Sequence, residues 1–310
     1  MKLFTGTKVA AGMEIFDGGL RGGLFSQQDK GYCLERGASL TLPEEILRIS
    51  FKTENILDTE GFKKAVKKVL NVCRFKGGRL GVSLPHGTVK LMLQSFQELP
   101  GDKREMKELI TWTVTRNLTI PPHDIKISWS PMGEDTQGRQ VLLVAMMSEP
   151  VLAQYRNEIQ STGATPVGFA PTALNRFNFY SSVLPMKGSC LYLALSRWGV
   201  TVAGFTKGLP LFFKTFRKGF LYGGVDRHCY DVSLVLDHCL MICPGLVFSH
   251  VFLAFHGGKI KKIQTLLRGK GLSHATILNP LDFMNPGIQF SDAEDLSLFT
   301  ATAATALGRT

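Results

Sequence analysis

The stretch that most constrains this chain is Val251–Gly269, VFLAFHGGKIKKIQTLLRG. Five apolar residues, Val251 to Phe255, run into Gly257-Gly258. Ile260, Ile263, Leu266 and Leu267 then recur at helical spacing, with Lys259, Lys261, Lys262 and Arg268 on the other side. An unbroken apolar run, a tight turn and an amphipathic helix read as a buried parallel strand with its covering helix, and so as an α/β protein. Two readings of the turn stay open. Paired glycines let a ligand, often a nucleotide, approach the backbone closely. They also serve a plain strand-to-helix connection.

The 310 residues allow two domains or one large α/β domain, and 44% hydrophobic content supports a sizeable core. A net charge of +11 points to an acidic partner, an anionic membrane surface, or a solvated basic exterior. Nothing matches a nucleic-acid module such as an RRM or a zinc finger, so no nucleic-acid partner is expected. The opening MKLFTGTKVAAGMEIF lacks the apolar run of a signal peptide. This predicts a cytoplasmic protein whose six cysteines are buried thiols. His228-Cys229, His238-Cys239 and Cys243 fit no zinc spacing, and no metal site is expected. The apolar interval Cys239–Phe255 is broken by Pro244-Gly245 and Ser249-His250. It therefore falls short of the roughly 20 continuous apolar residues of a membrane span.

Along the chain, Val9–Phe16, a turn at Asp17-Gly18-Gly19 and Leu20–Phe25 read as a hairpin. Ser26–Gly31 reads as a loop, and Leu40–Leu42 and Ile46–Phe51 as short strands. Gly61–Lys76 is helical: Phe62, Ala65, Val66, Val69, Leu70 and Cys73 form one stripe, opposite Lys63, Lys64, Lys67, Lys68, Arg74 and Lys76. Strands follow at Arg79–Leu84 and Thr88–Phe96. Asp102 with Glu105 marks a helix start, running to about Leu118. Paired strands are expected at Ile125–Trp129 and Gln140–Met147, and a helix capped by Ser148 over Glu149–Thr162. A short strand at Val167–Phe169 and a helix at Pro171–Ser181 lead to a linker, Leu184–Ser189. Beyond it come a three-stranded meander (Leu191–Leu195, Val200–Phe205, Leu209–Phe213), a helix at Asp226–Cys243, the opening stretch, a short strand at Thr276–Leu278, and a last helix over Asp292–Leu307.

This order resembles the actin-like, Hsp70-like ATPase fold, and within it the PilM family of type IV pilus assembly. The resembling pieces are LGVSLPHGTVKLMLQSFQELP at 80–100, VLLVAMMSEPVLAQYRNEIQSTGATPVGFAPTALNRF at 141–177, GLPLFFKTFRKGFLYGG at 208–224, VFLAFHGGKIKKIQTLL, NPLDF, and ATAATALGR at 301–309. The implied architecture is an actin-like (ribonuclease H-like) two-lobe ATPase fold. Its first lobe would span 1–182, with a small inserted α/β module at about 32–150, and its second 183–310.

The family opens its first phosphate hairpin with Asp-x-Gly; here the matching positions are Glu14, Ile15 and Phe16, and a one- or two-residue slip would offer Asp17, Gly18 and Gly19 instead. Arg21 stands where the family carries a lysine. At the second hairpin Ala194-Leu195-Ser196-Arg197 lacks the acidic residue that would hold a magnesium-bound water. Between 225 and 250 there is room for about one helix in place of a whole subdomain. These departures imply a second lobe that is reduced and a nucleotide cleft that is vestigial, with Glu14, Asp17, Gly18, Gly19, Arg21, Gly223, Gly224, Gly257 and Gly258 around it. No catalytic residue is assigned, and no cofactor is expected.

The resemblance implies a non-catalytic scaffold, cytoplasmic and peripheral at the inner membrane, in a type IV pilus or type II secretion platform. Its partner would be the cytoplasmic tail of a bitopic, PilN-like membrane protein, held in the region of residues 10–30 and 80–150. An anionic membrane surface could meet the basic helix. The alternative is an ATP-binding or weakly hydrolysing enzyme of the same fold, with magnesium near Asp17 or Glu14.

Overall fold

The computed structural model describes residues 9–28, 31–116, 118, 120–185, 187–196, 199–217, 225–255, 260–272, 274–286 and 296–308, with backbone alone at 9, 28, 31, 217 and 225–231. In chain order, strands β1 (Val9–Phe16), β2 (Gly19–Gln28) and β3 (Gly31–Thr41) lead to helix α1 (Thr59–Val72) and strand β4 (Gly78–Leu84). Next come β5 (Val89–Phe96), α2 (Lys103–Thr115), β6 (Ile125–Glu134) and β7 (Gln140–Ser148), then α3 (Glu149–Gln160), β8 (Ala164–Pro171) and α4 (Thr172–Tyr180). The second half holds β9 (Ser189–Ser196), β10 (Gly199–Thr206), β11 (Leu209–Arg217), α5 (Val225–Leu240), β12 (His250–Ala254), α6 (Ile260–Gly269) and β13 (Ala275–Ile277). The chain closes with β14 (Met284–Pro286) and α7 (Thr300–Ala306).

Two sheets repeat one plan. In the first, β3-β2-β1 is an antiparallel meander, and β4 and β8 extend it in parallel from β1. In the second, β11-β10-β9 is the meander, and β12 and β13 extend it in parallel. The expected buried strand of the Val251–Gly269 stretch is central β12, hydrogen-bonded on both sides. Its Val251, Phe252 and Leu253 are buried, and α6 covers it with Ile263 and Leu267. On the first sheet α1 inserts the stripe read from its sequence. Phe62, Ala65, Val66, Val69 and Leu70 are buried, and Phe62 meets Tyr155 of α3 at 6.3 Å between ring centroids. Each large side chain so buried contributes about 1.5–3 kcal/mol. Asp58 caps α1 by accepting from Gly61 N.

A third sheet, β5-β7-β6, carries α2 on one face through Ile110 and Val114. It spans Val89–Ser148; β3, α1 and β4, upstream of it, belong with the six-stranded sheet. From Val225 to His250 the second lobe has only α5 and a turn.

The last helix of each half packs on the other half. Phe177 of α4 stacks on Phe205 of β10 at 5.2 Å and meets Tyr192 and Phe213 edge-on. In return β14 pairs with β3, and α7 lies on β1 and β4. That approach is closer than a side chain allows: a Cβ at Gly12 would stand 2.1 Å from the Thr302 carbonyl oxygen, and one at Gly81 2.2 Å from that of Thr305.

Several local expectations change. The loop expected at Ser26–Gly31 is shorter, since β2 runs on to Gln28 and the eleven-residue β3 begins at Gly31. The expected strand at 46–51 is a single bridge, Leu47 to Ile56. Asn55 causes this: its Nδ2 donates to the Ser50 and Thr53 carbonyls, and its Oδ1 accepts from Ser50 N. Ser148 makes no side-chain cap bond, whereas Asp102 accepts from Arg104 N and Glu105 N. The thiols of Cys33, Cys73, Cys190 and Cys239 are buried and free. Burial pushes Cys73, Cys190 and Cys239 up to about 11, which keeps them protonated.

Candidate functional site

The C-terminal ends of the parallel strands of both lobes meet in one crevice, the place where open α/β sheets hold ligands. Strand β1 brings Glu14 and Phe16 there, β4 leads into Pro85 and His86, α4 supplies Thr172 and Arg176, and β9 ends at Ser196. The cavity these residues enclose with Asp17 is about 10 Å³, room for about one water.

Glu14 is 1% exposed and bonds two guanidiniums: Arg21 Nη1 donates to its Oε2 at 2.8 Å, and Arg176 Nη2 to its Oε1 at 3.1 Å. Register explains the first pair, since Glu14 stands opposite Arg21 across the β1–β2 hairpin. Arg21 Nη1 also donates to the Leu298 carbonyl, and its guanidinium sits over the Phe16 ring at 4.8 Å and the Phe299 ring at 5.7 Å. Burial pulls the Arg21 pKa down and the Glu14 charge pulls it back, while Arg176 adds repulsion. An arginine keeps its proton through such a shift. The cluster therefore has two positive charges on one negative charge. The Nε atoms of Arg21 and Arg176 are buried without partners.

Below this cluster, Asn175 Nδ2 donates to Ser83 Oγ at 2.9 Å, and Ser83 Oγ pairs with Thr172 Oγ1 at 3.1 Å. These bonds fix α4 to β4, and with it Arg176. His86 lies against the second lobe, where a Cβ at Gly199 would meet its ring at 3.2 Å. Burial, with Arg176 adding to it, holds the His86 pKa down to about 3, so the ring is neutral at pH 7.

Of the residues singled out in sequence, Glu14, Asp17, Gly18, Gly19 and Arg21 stand together on one hairpin. Asp17-Gly18 forms its two-residue turn, with Gly18 at φ 88°, and Gly19 is already in β2. Gly19 packs inward: a Cβ there would lie 2.4 Å from the Leu40 carbonyl oxygen and 2.5 Å from the Phe16 ring. Gly223, Gly224, Gly257 and Gly258 lie outside the described residues. Sequence reasoning missed Arg176 and His86. The one available signal was a charge inside the apolar run ALNRFNFY, where Asn175, Phe179 and Tyr180 are buried.

No family model and no curated protein matches the sequence. A chain of the PilM–PilN type IV pilus biogenesis complex superposes with a TM-score of 0.78, over 97% of this chain and 98% of that one, at 16% identity. The fold is the PilM fold. The cytoplasmic domain of EpsL, an inner-membrane component of the type II secretion system of Vibrio cholerae, superposes with a TM-score of 0.52 at 10% identity, over 95% of each chain. In this PilM-like frame the Glu14 cluster lies where the strand ends of the two halves meet. Among the described residues no helix is long and apolar enough to cross a membrane.

Proposed function

We propose that this chain is a non-catalytic scaffold of an inner-membrane platform, in a type IV pilus or a type II secretion system, working at the cytoplasmic face. The likeness to the PilM–PilN complex and to the EpsL cytoplasmic domain supports that setting. By the same likeness its partner is the cytoplasmic tail of a bitopic, PilN-like membrane protein. The observation that carries the non-catalytic reading is the packing of the crevice. Among the described residues, Phe16 and the Glu14–Arg21–Arg176 cluster sit at the strand ends, and the cavity lined there by Phe16, Glu14 and Arg176 is about 10 Å³. Phosphoryl transfer needs room for the phosphates, a metal ion and a positioned water. Here Glu14, one of the two carboxylates lining this cavity, is committed to two arginines, so it offers magnesium little.

The test is a pair of titrations. Labelled ATP with magnesium should show no saturable binding below the millimolar range and no phosphate release. A peptide of the PilN-like protein's cytoplasmic tail should bind with the same affinity with or without nucleotide. Micromolar ATP binding with turnover would restore the enzyme reading, and a peptide that fails to bind would remove the proposed partner.

A further inference from the structure

The turn between α5 and β12 stands at the opposite end of the second sheet from the crevice, beside the starts of β9 and β13. It presents apolar side chains to water: Met241 is 76% exposed, Ile242 43% and Val247 81%. One such residue is ordinary on a surface, but three on one short turn form a patch of the kind that marks a contact. The turn is held firmly. Ser249 N donates to Ser189 Oγ at 2.9 Å, Ser249 Oγ to the Ser189 carbonyl at 2.8 Å, and Ser189 Oγ to the Val247 carbonyl at 2.6 Å. Phe248 beside it packs into the core of the second sheet. A Cβ at Gly245, Gly269 or Gly271 would meet nothing within 4 Å, so this end of the lobe projects and does not line a groove. Lys187, just before β9, and Arg268, in the last turn of α6, are exposed at the same end. Neither has an acidic partner among the described residues. Asp237, one helical turn before Met241, is paired with Lys270. The segments 184–188, 241–249 and 268–274 contain no aspartate or glutamate. Lys207 is exposed beside Gly188, but on the side where Leu209 meets Gly133, next to Glu134.

We propose that this turn docks on an anionic bilayer surface, with Met241, Ile242 and Val247 entering the acyl boundary and Lys187 and Arg268 meeting the lipid phosphates. Apolar side chains gain by leaving water, and unpaired cations beside them are drawn to an anionic leaflet, so the two effects act on one surface. A projecting turn suits a fluid surface, which needs no complementary pocket. A second copy of this chain suits it less, because an isologous contact would set the same cations against each other. The proposal rests on the platform reading only in taking an anionic leaflet to face the protein.

The test uses the full chain with vesicles of phosphatidylglycerol and phosphatidylethanolamine, and with vesicles of phosphatidylcholine alone. Sedimentation should show binding to the first and little to the second. K187S/R268S should weaken it roughly twentyfold, about fivefold for each cation near an anionic surface. M241S/V247S should weaken it about tenfold or more, from lost apolar burial. All four side chains lie in water, so both variants should keep their fold. In V247W the added indole should be quenched by brominated acyl chains, which reports entry and not charge alone. K64S/K67S/K68S, which strips the exposed lysines of α1, should leave that quenching in place; its loss there would move the contact to α1 and overturn the proposal. Unchanged affinity in M241S/V247S, an unquenched V247W, or equal binding to phosphatidylcholine would overturn it too. So would a dimer in solution that M241S/V247S dissolves, which would assign the turn to a second copy, or loss of tail-peptide binding in that variant, which would assign it to the peptide. Titrating the tail peptide into the wild-type samples separates the two readings: peptide binding without vesicle binding sinks this proposal alone, and vesicle binding without peptide binding leaves it standing.

Discussion

Glu14 is one carboxylate between two guanidiniums, away from water, and its value to the protein lies in what would remain without it. Removing one member of a buried ionic group leaves an uncompensated charge, which typically costs about 3–5 kcal/mol. Arg21 is 7% exposed in its side chain and Arg176 13%, so neither arginine can turn to solvent without unpacking Phe16 or α4. E14Q should therefore lose about 3–5 kcal/mol in urea unfolding. A loss below about 1 kcal/mol would mean that the cluster is solvated and that the crevice opens. The same pairing shows how a short motif misleads. Read alone, Glu14 and Asp17 are acidic residues near a glycine turn, suited to a metal. Their setting turns Glu14 to its neighbour across the hairpin and to an arginine 162 residues away.

Among the elements, α7 does the most with the least sequence signal. Seven residues, TATAATA, have almost no hydrophobic contrast, yet Thr300 through Thr305 are all buried. Small residues are what the position requires, because the helix backbone lies directly on β1 and β4. G81A would place a methyl group 2.2 Å from the Thr305 carbonyl oxygen, so either α7 lifts or the sheet bends. Overpacking of this kind costs about 1–3 kcal/mol, and backbone against backbone belongs at the upper end. Thermal unfolding should show that loss, together with faster proteolysis at the C-terminal helix. Unchanged stability would mean that α7 is not held as tightly as the distances imply. The missed strand β3 has a related cause. Its sequence, GYCLERGASLT, mixes glycine, charge and apolar residues without clean alternation. It forms because β2 and β14 pair with it on either side.

At the scale of the whole molecule the two lobes meet through α4, α7, the packing of β11 on β5 and β6, and the His86 contact with Gly199. His86 gives that meeting a pH dependence. Its folded-state pKa is held near 3 against an ordinary 6.5, so below 6.5 the unfolded chain takes up a proton that the folded chain refuses. Stability from this site is present above pH 6.5 and lost as pH falls toward 3, at no more than about 1.4 kcal/mol per pH unit. Carboxylates contribute their own acid sensitivity, so the measurement is a difference. The pH slope of H86Q should be flatter than that of the wild type across this window, and parallel slopes would place the ring in water. By itself the sequence determined what local patterning can determine: the β12–α6 unit, the stripe of α1, the hairpin of the first half, the meander of the second, and their order, which sufficed to suggest an actin-like, PilM-like frame. It also marked Phe16 in place of a glycine as an obstacle at the first hairpin. Only the tertiary structure decided that Glu14 is spent on Arg21 and Arg176, and that the last helix of each half covers the other half. Those facts join residues distant in the chain. The burial and pairing that define them exist only once both lobes are assembled.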